Sequence, residues 1–536
     1  NASTDLYFTN SSIYGFYKYY KADDRQAYAD VMANINKRFG DLSLSANIGG
    51  SFTQTYYDER GFQGGLKDMS NVFSLYNMTT TLDKDTYPIE SGYKQRTNSI
   101  FASAEIGWKS MLYMTLTGRN DWDSALINTE QSSFFYPSIG LSGVISEMVK
   151  LPKAITYLKV RGSFASVGAP IPKNLSSNKT YEWDPATSQW KLQTYRPLPK
   201  LYPERTNSWE AGLNAKFFNN SLSLEVTWYK ANTRKQTFQV PLSGTAVYAT
   251  MYAQSGNIEN KGMEFSLGYN KSWGDFSWNS NLTFSFNKNK IVELLDDAVD
   301  DEGNHYSLSE IDKGGIGSAK VILRKGGSMG DMYVTNRLKR DNEGNVFIDK
   351  ASQNVKKEDI KNSDEFIHIG SVLPKSNLGF RNDFSYKGIS LGFMLAARFG
   401  GIVISPTQAV MDQFGVSKVT ALARDNEGVP VNNGKVDPQT YYTEVGGISG
   451  LMSNYVYSAT NVRLQELSVG YSLPAKWFNN KCNLSLSITG HNLWMIYNKA
   501  PFDPEATAST GTYYQGVDYF MQPSLRSWGF NVKIQF

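Results

Sequence analysis

The chain has 536 residues, too many for one small globular core, and a net charge of only +4. Its basic residues are scattered along the sequence, so nothing indicates a nucleic-acid partner. The most apolar stretch, residues 388–404, is interrupted by Arg398 and several glycines, so no segment approaches the roughly 18 apolar residues of a membrane-spanning helix.

The residue composition favours a membrane β-barrel. The 33 tyrosines and 11 tryptophans suit two membrane–water interfaces, although a large secreted β-protein has a similar composition. Cys482 is the single cysteine, which excludes a disulfide within the chain. The three histidines, His305, His368 and His491, lack metal-ligand spacing, so we predict no metal site.

Apolar and polar residues alternate with period two in about fifteen segments of roughly 10 to 14 residues. This length suits a tilted strand that crosses a hydrocarbon layer. In chain order, the clearest apolar stripes lie at 29–35, 42–48, 112–116, 222–228, 263–269, 282–286, 391–395, 467–473, 484–488 and 528–536. The sequence therefore predicts an all-β fold, a transmembrane antiparallel β-barrel of about 15 strands.

The connections alternate between short and long, as they do in outer-membrane barrels, where short turns are periplasmic and long loops extracellular. Short turns rich in Gly, Asn and Asp are predicted at 39–42, 217–222, 273–276, 386–389 and 478–483. Long loops are predicted at about 55–95, 168–205, 233–258, 290–375, 400–460 and 496–524. No internal repeat of 20 to 50 residues is visible, which argues against a propeller or solenoid. Residues 1–536 are predicted to form one barrel region with these long loops.

Two loop segments resemble calcium-binding sequences only superficially. The acidic stretch 294–303 lacks EF-hand spacing and is predicted to be a solvated loop. Segment 341–349 (DNEGNVFID) lacks regular ligand spacing and is predicted to form a glycine turn between two short strands. No nucleophile elbow or other catalytic constellation is present, so neither enzymatic activity nor a cofactor is predicted.

Aromatic residues in the long loops are the better candidates for contact with a ligand, because flat rings suit sugar faces and apolar peptide side chains. These candidates are Trp183, Trp190, Tyr513, Tyr514 and Tyr519. A membrane-interface girdle and packing among the loops are the alternative roles for the same rings.

Several motifs occur in the order found in one transporter family. VRLQELSVGYSLP at 462–474, GHNLWMIYNKAPFDPE at 490–505 and PSLRSWGFNVKIQF at 523–536 resemble elements of SusC/RagA-type TonB-dependent transporters. SGNIENKGMEFSLGYN at 255–270 resembles another strand of this family, of the type found in Bacteroidetes. The resemblance covers essentially the whole chain.

The resemblance implies a 22-stranded outer-membrane barrel, filled by an N-terminal plug and covered by a SusD-like lipoprotein. Import would be driven by TonB with ExbB and ExbD, and the cargo would be oligosaccharides or, in some members, peptides. Nothing here resembles a plug, so we expect the chain to begin inside the barrel, surrounded by outer-membrane lipid. Trp528, Phe530 and Phe536 resemble the C-terminal signal read by the barrel-assembly machinery.

Two alternatives remain open at this stage. One is a passive porin or adhesin barrel, complete at about 16 strands. The other is a secreted β-protein that binds or degrades carbohydrate, although the alternating apolar stripes count against it.

Overall fold

The computed structural model describes residues 14–79, 86–127, 129, 131–171, 175, 181–184, 189–192, 195–196, 202–241, 250–299, 305–479, 481–509, 511 and 515–536. Within these ranges, fifteen long strands form one antiparallel sheet in which each strand is hydrogen-bonded to the next along the chain. A two-residue strand, Tyr195–Arg196, adds a short parallel pairing to the start of the ninth strand.

The fifteen strands confirm the predicted number and the predicted antiparallel order. They are β1 (Phe16–Phe39), β2 (Leu42–Gly65), β3 (Tyr87–Trp108), β4 (Leu112–Asp123), β5 (Ser133–Val144), β6 (Ile155–Ala169), β7 (Glu204–Phe217), β8 (Leu222–Pro241), β9 (Thr250–Trp273), β10 (Phe276–Glu293), β11 (Ser376–Tyr386), β12 (Ile389–Phe399), β13 (Asn461–Ser472), β14 (Asn483–Asn498) and β15 (Ser527–Gln535).

The strand register aligns the apolar stripes into continuous rows across the sheet. Val226 pairs with Phe265, Phe265 with Phe284, and Phe284 with Leu378, so all four side chains lie on one face. We call this the outer face and the opposite one the inner face. On the outer face, Trp228 is 42% exposed and Phe530 is 66% exposed, so no second protein layer covers these rings. The apolar stripes therefore face the surroundings, as a lipid-facing wall requires.

The sheet has two edges among the described residues, because β1 pairs only with β2 and β15 pairs only with β14. Every strand between them has neighbours on both sides. This satisfies the backbone hydrogen bonds of those strands, which is essential where no water is available. No helix in the described ranges is long and apolar enough to span a bilayer.

The short turns lie together at one end of the sheet, and four of those predicted are confirmed. They fall at 40–41, 218–221, 274–275 and 387–388, and another short turn lies at 109–111. Gly40, Gly274 and Gly388 adopt φ values of 57°, 59° and 87° there, which favour glycine. The fifth predicted turn, 478–483, precedes β14 and includes residue 480, which lies outside the described residues.

The long connections lie at the other end, but the strands extend further into them than predicted. Strand β2 continues to Gly65, β3 begins at Tyr87, and β8 continues to Pro241. These extensions carry polar residues on both faces, as in Tyr56–Arg60, so the apolar alternation ends before the backbone pairing does. The loop proper between β2 and β3 therefore begins after Gly65.

The long connections contain short elements of their own. The strands are Tyr181–Asp184, Gln189–Leu192, Leu295–Val299, His305–Leu308, Glu310–Ile316, Ala319–Arg324, Asp331–Val334, Asn336–Leu338, Lys357–Asp359, Ile367–Ser371, Ile402–Ile404, Val429–Val431, Gly434–Val436 and Val456–Ser458. Their helices are α2 (Pro406–Gln413), α3 (Lys418–Asp425) and α4 (Pro438–Val445), and single 3₁₀ turns occupy Leu75–Asn77, Ser124–Leu126, Ser363–Glu365 and Met452–Tyr455. At the short-turn end, helix α1 (Ile145–Met148) lies between β5 and β6, and a 3₁₀ turn, Ala475–Phe478, lies between β13 and β14.

Side-chain caps explain where three of the helices begin. Ser405 accepts a hydrogen bond from the backbone N–H of Gln408 at 3.0 Å, and Ser417 does the same for Thr420 in α3. Asp437 caps α4 in the same way. Each cap satisfies a backbone donor that the first helical turn leaves without a partner.

The main hydrophobic core lies among these loops and not inside the sheet. Met332, Val321 and Met452, from two different loops, are each 0% exposed and pack in one cluster. Ile258 of β9 and Ile291 of β10 join this cluster from the inner face. We call this packed unit, formed mainly by 294–375 and 400–460, the loop assembly. The core ties it to the ends of the strands.

Candidate functional site

The inner face of β6–β11 is polar from strand to strand. The register places Thr227 beside Glu264, Glu264 beside Ser285, and Ser285 beside Asn377. These residues alternate with the apolar stripes of the same strands, so the period-two pattern that makes the outer face apolar makes this face hydrophilic.

A cavity of about 700 Å³ opens along this polar row, and we call it the inner-wall cavity. Arg161 donates to Glu225 Oε1 at 3.0 Å and to Thr227 Oγ1 at 2.7 Å. Two further lining carboxylates, Glu210 and Glu264, have no ion-pair partner among the described residues. The cavity can therefore accept hydrogen bonds from hydroxyl, amide or ammonium groups of a hydrophilic solute.

A buried polar network closes the inner face of β3–β5 near the loops. Arg119 donates to Asp121 at 2.7 Å and to Ser99 at 2.7 Å, and Tyr136 donates to the same Asp121. Asp123 accepts from the backbone N–H of Ala125 at 2.8 Å and starts the following 3₁₀ turn. These contacts hold three strands in register where the loop leaves the sheet.

A second buried network explains one of the motifs in the sequence. Arg463 of β13 contacts Asp503 and Glu505 of the FDPE segment at 3.0 Å each. Asn461 accepts from Arg463 at 3.2 Å, and Ser524 donates to Asp503 at 2.5 Å. We call these five residues the Arg463 cluster. It fastens the loop that follows β14 to the first residues of β13.

The Arg463 cluster changes the ionisation of Asp503. Burial alone would raise the pKa of this carboxyl group. The hydrogen bonds from Ser524 and from the backbone N–H of Glu505, together with the charge of Arg463, outweigh burial and hold the pKa of Asp503 below its ordinary value. Asp503 therefore stays ionised at neutral pH.

The aromatic candidates lie on two different loops. Trp183 and Trp190 are paired residues in an antiparallel two-stranded ribbon between β6 and β7, and the Trp190 ring is 66% exposed. Tyr519 lies between β14 and β15, where its exposed ring contacts Phe520 edge-on at 5.1 Å between ring centres. Tyr513 and Tyr514 lie outside the described residues. The ligand-contacting role of all five stays a prediction.

The C-terminal residues lie where the alternation predicts. Trp528 and Phe530 are exposed on the outer face of β15, and Phe536 follows the end of that strand. Their role as an assembly signal stays a prediction.

The two calcium-like segments are ordinary loop structure where they are described. Asp341 accepts from the backbone N–H groups of Glu343 and Asn345, and Gly344 has φ of 87°, which confirms the predicted glycine turn. The two flanking strands were wrongly predicted, because Arg340 and Val346 form only an isolated bridge. In the acidic stretch, Asp296 and Asp297 belong to a short strand, while Asp300, Asp301 and Glu302 lie outside the described residues. Among the described residues no cluster of His, Cys, Asp and Glu is arranged to hold a metal ion.

Sequence reasoning did not single out the inner-wall carboxylates or the Arg463 cluster. The alternation indicated which face Glu225 occupies, but pairing with Arg161 depends on strands that lie 64 positions apart in sequence. The FDPE motif was identified as a family feature without a physical role. No local signal in the sequence joins Arg463 to Asp503, which lies 40 positions further along the chain.

A family profile described as "TonB dependent receptor-like, beta-barrel" matches residues 1–319. The chain belongs to the TonB-dependent receptor β-barrel family. Its sequence is 26% identical to TonB-dependent receptor P3 of Formosa agariphila over 541 residues, covering 94% of this chain and 51% of that protein. It is 22% identical to TonB-dependent receptor SusC of Bacteroides thetaiotaomicron over 479 residues, covering 83% of this chain and 44% of that protein.

The fold of this TonB-dependent receptor barrel is also found in a solved structure. The structure of the RagAB peptide transporter aligns with a TM-score of 0.71 at 19% identity, over 96% of this chain and 55% of the other. This confirms the predicted fold class and the resemblance to SusC/RagA-type transporters. The chain spans about half the length of the relatives it matches. The family consists of transporters and receptors and not of enzymes.

Proposed function

We propose that this chain forms the wall and the outward loops of an outer-membrane importer for bulky hydrophilic nutrients, with oligosaccharides as the first candidate cargo. The observation that carries the proposal is the division of one sheet into an exposed apolar face and a polar face with a 700 Å³ cavity. Such a wall suits lipid on one side and hydrated cargo on the other. Hydroxyl-rich sugars suit the carboxylates and hydroxyls of the cavity.

Peptides are the second candidate cargo, and two observations favour them. Glu210 and Glu264 have no cationic partner among the described residues, so they can attract ammonium or guanidinium groups. A structure with the same fold is named a peptide transporter. A cationic peptide would use this unpaired charge, while a neutral sugar would not.

The proposed partners follow from the family. We propose that a SusD-like lipoprotein covers the loop end, and that TonB, with ExbB and ExbD, drives import through a region N-terminal to this sequence. Support comes from membership in the TonB-dependent family and from a fold shared with RagAB. Because the chain spans about half the length of its relatives, these partners belong to the proposal for the whole protein.

The test uses the full-length gene in its native host. Membrane fractions locate the protein, and uptake of labelled oligosaccharides and peptides is measured with and without TonB. We expect outer-membrane location and uptake that stops when TonB is deleted. Uptake that continues without TonB would support the passive porin instead, and protein in the culture medium would support the secreted alternative.

A pair of variants connects uptake to the inner-wall cavity. Glu264→Gln should reduce uptake of a cationic peptide and change oligosaccharide uptake little, since only the peptide responds to the carboxylate charge. The control is Glu90→Gln, which changes an exposed glutamate on β3 away from the cavity. If both variants take up every cargo equally well, the charge of the inner-wall cavity has no role in transport.

A further inference from the structure

The outer face of β7–β10 becomes strongly basic just beyond its apolar band. Trp228 pairs with Met263, and Met263 pairs with Phe286, which forms the last apolar row toward the loops. The next position on each of these strands along the same face is a lysine. Those three lysines, Lys230, Lys261 and Lys288, are aligned in register.

The following rows of the same face add further cations. Lys290 lies on β10 opposite Glu259, and Arg205 of β7 is paired with Arg234 of β8. We call this surface the basic belt; it consists of Arg205, Lys230, Arg234, Lys261, Lys288 and Lys290. It lies toward the long loops, the end that the proposed function places outside the cell.

The positive charge of the basic belt is mostly uncompensated. Two acids lie in these rows: Glu259, which contacts Lys230 at 3.0 Å and Lys261 at 3.2 Å, and Glu293, which is paired with Asn257 in the row of Arg234. Arg234, Lys288 and Lys290 are exposed and have no ion-pair partner among the described residues. Cations that outnumber acids repel one another, so this surface favours an anionic ligand.

One end of the belt forms a concave site. A cavity of about 290 Å³ is lined by Arg205, Asn207, Arg234 and Lys235, with no acidic side chain in its wall. Consecutive residues of a regular strand point to opposite faces, but Lys235 adopts φ of 56°. The strand is therefore irregular at Lys235, and the neighbouring residues Arg234 and Lys235 both line the same cavity. Three cations and an amide that line one cavity suit a phosphate group, although Arg205 already donates to the Phe135 carbonyl at 3.0 Å and the Lys235 ammonium lies 4.1 Å from the centre of the Tyr202 ring.

The charge excess is not a general property of the outer face. On β1, Arg25 contacts Asp23, and on β2, Arg60 contacts Asp58, each pair lying two residues apart on one face. These arginines have acidic neighbours of their own. Lys21, Lys94 and Arg96 of the same face have no ion pair among the described residues, but three acids, Asp23, Asp58 and Glu90, lie among these cations, so the charge excess is larger on β7–β10.

We propose that the basic belt binds the phosphate groups of an acylated glycolipid in the outer leaflet, with its acyl chains against the apolar row below. The inference rests on the proposed outer-membrane location. Trp228 is exposed in the last apolar row and Trp209 is exposed beside its register partner Lys230, so one amphiphile can contact rings and charges together. Basic residues at a membrane surface attract anionic lipid headgroups in this way.

The experiment measures lipid binding to the full-length protein in detergent by native mass spectrometry. The probes are lipid A carrying two phosphates and the same lipid A with its phosphates removed. The wild-type protein should retain the phosphorylated lipid at least about tenfold better than the dephosphorylated one, and added salt should weaken this retention. Equal retention of both lipids would overturn the proposal even if no variant could be purified.

The belt variant combines Arg234→Gln, Lys288→Gln and Lys290→Gln. It breaks no ion pair seen among the described residues, so the sheet should form normally. Binding of phosphorylated lipid A should fall by at least about tenfold, since each cation near an anionic surface contributes separately. Unchanged binding would overturn the proposal.

The control variant combines Arg25→Gln, Arg60→Gln and Arg96→Gln, three cations of the same outer face on β1–β3. It removes the same charge and should retain the lipid; an equal loss would show nonspecific attraction and overturn the proposal.

Outer-membrane location and cargo uptake are measured for the same proteins. Normal location and uptake without selective lipid binding would reject only the basic-belt inference, whereas mislocated wild-type protein would reject the proposed function. Retention of an acidic protein in place of lipid would also overturn the inference.

Discussion

Replacing Arg463 with methionine tests whether the Arg463 cluster fastens the loop after β14. The side chains of Arg463 and Asp503 are only 6% and 8% exposed, so water cannot replace the lost guanidinium easily. Methionine keeps much of the apolar volume but supplies no charge or donor. Asp503 would remain in a largely buried position without its cation.

The magnitude follows from this burial. Removing one partner of a buried ion pair costs about 3 to 5 kcal/mol, because the other charge stays desolvated. Every 1.4 kcal/mol is about a tenfold change in an equilibrium constant. If the cost falls on the closed state of the loop, opening of residues 499–509 should become at least about a hundredfold more frequent. The barrel strands should remain folded, since their hydrogen-bond ladders do not depend on this contact.

Arg381 provides a matched control. It also lies on a barrel strand and bridges two carboxylates, Asp383 at 2.9 Å and Glu466 at 3.3 Å, but its side chain is 45% exposed. Arg381→Met should therefore change stability by no more than about 1 kcal/mol. Both variants differ from the wild type by the same substitution, so burial is the main variable.

Limited proteolysis of the folded protein in detergent measures the opening, because cleavage follows the open population when reclosing is fast. We expect rapid cleavage within 499–509 in Arg463→Met and nearly wild-type cleavage in Arg381→Met. Adding Asp503→Asn to Arg463→Met should restore part of the protection by removing the unpaired charge. Equal protection in Arg463→Met and the wild type would refute the reasoning.

Three further predictions concern pH, loop packing and lipid contact. Because folding lowers the pKa of Asp503, its ionised carboxylate stabilises the folded loop above the ordinary aspartate pKa of about 3.9, and this stabilisation is lost as pH falls through the lowered pKa of the folded state. Hydrogen exchange of residues 499–509 should therefore become faster as pH falls through this range. Arg463→Met should weaken this pH dependence. Met452→Ala should destabilise the loop assembly by about 2 to 5 kcal/mol, seen as faster proteolysis within 400–460 while the strands stay protected. Leu267→Lys should cost about 2 to 4 kcal/mol in vesicle refolding if its outer-face position lies at mid-membrane, whereas Ser266→Lys on the inner face should cost much less; equal costs would contradict the assignment of faces.

Much of the sheet could be predicted because its signals are local. The alternation around Val226 and Phe265 assigned a face to each residue, and the glycines of the short turns marked where strands reverse. The ends of the strands were harder to predict from the sequence. Beyond Phe52, β2 continues with polar residues on both faces, so pairing with β1 and β3 extends the strand without an apolar pattern.

The candidate sites were harder to predict because each joins distant parts of the chain. The two tryptophans Trp183 and Trp190 are close in sequence and were identified together, whereas Arg161 meets Glu225 only through the strand register. The basic belt has the same origin. In the sequence, Lys230, Lys261 and Lys288 are three separate lysines, and they form one surface only when three strands align.

By itself, the sequence determined that this chain is a wall of strands with one apolar and one polar face, because side-chain direction repeats every two residues along any strand. Tertiary structure alone decided which charges meet, since Arg463 and Asp503 are 40 positions apart and no local pattern joins them. It also decided that the main apolar core lies among the loops. Contacts of this kind depend on register and loop packing, which bring together residues that the sequence keeps apart.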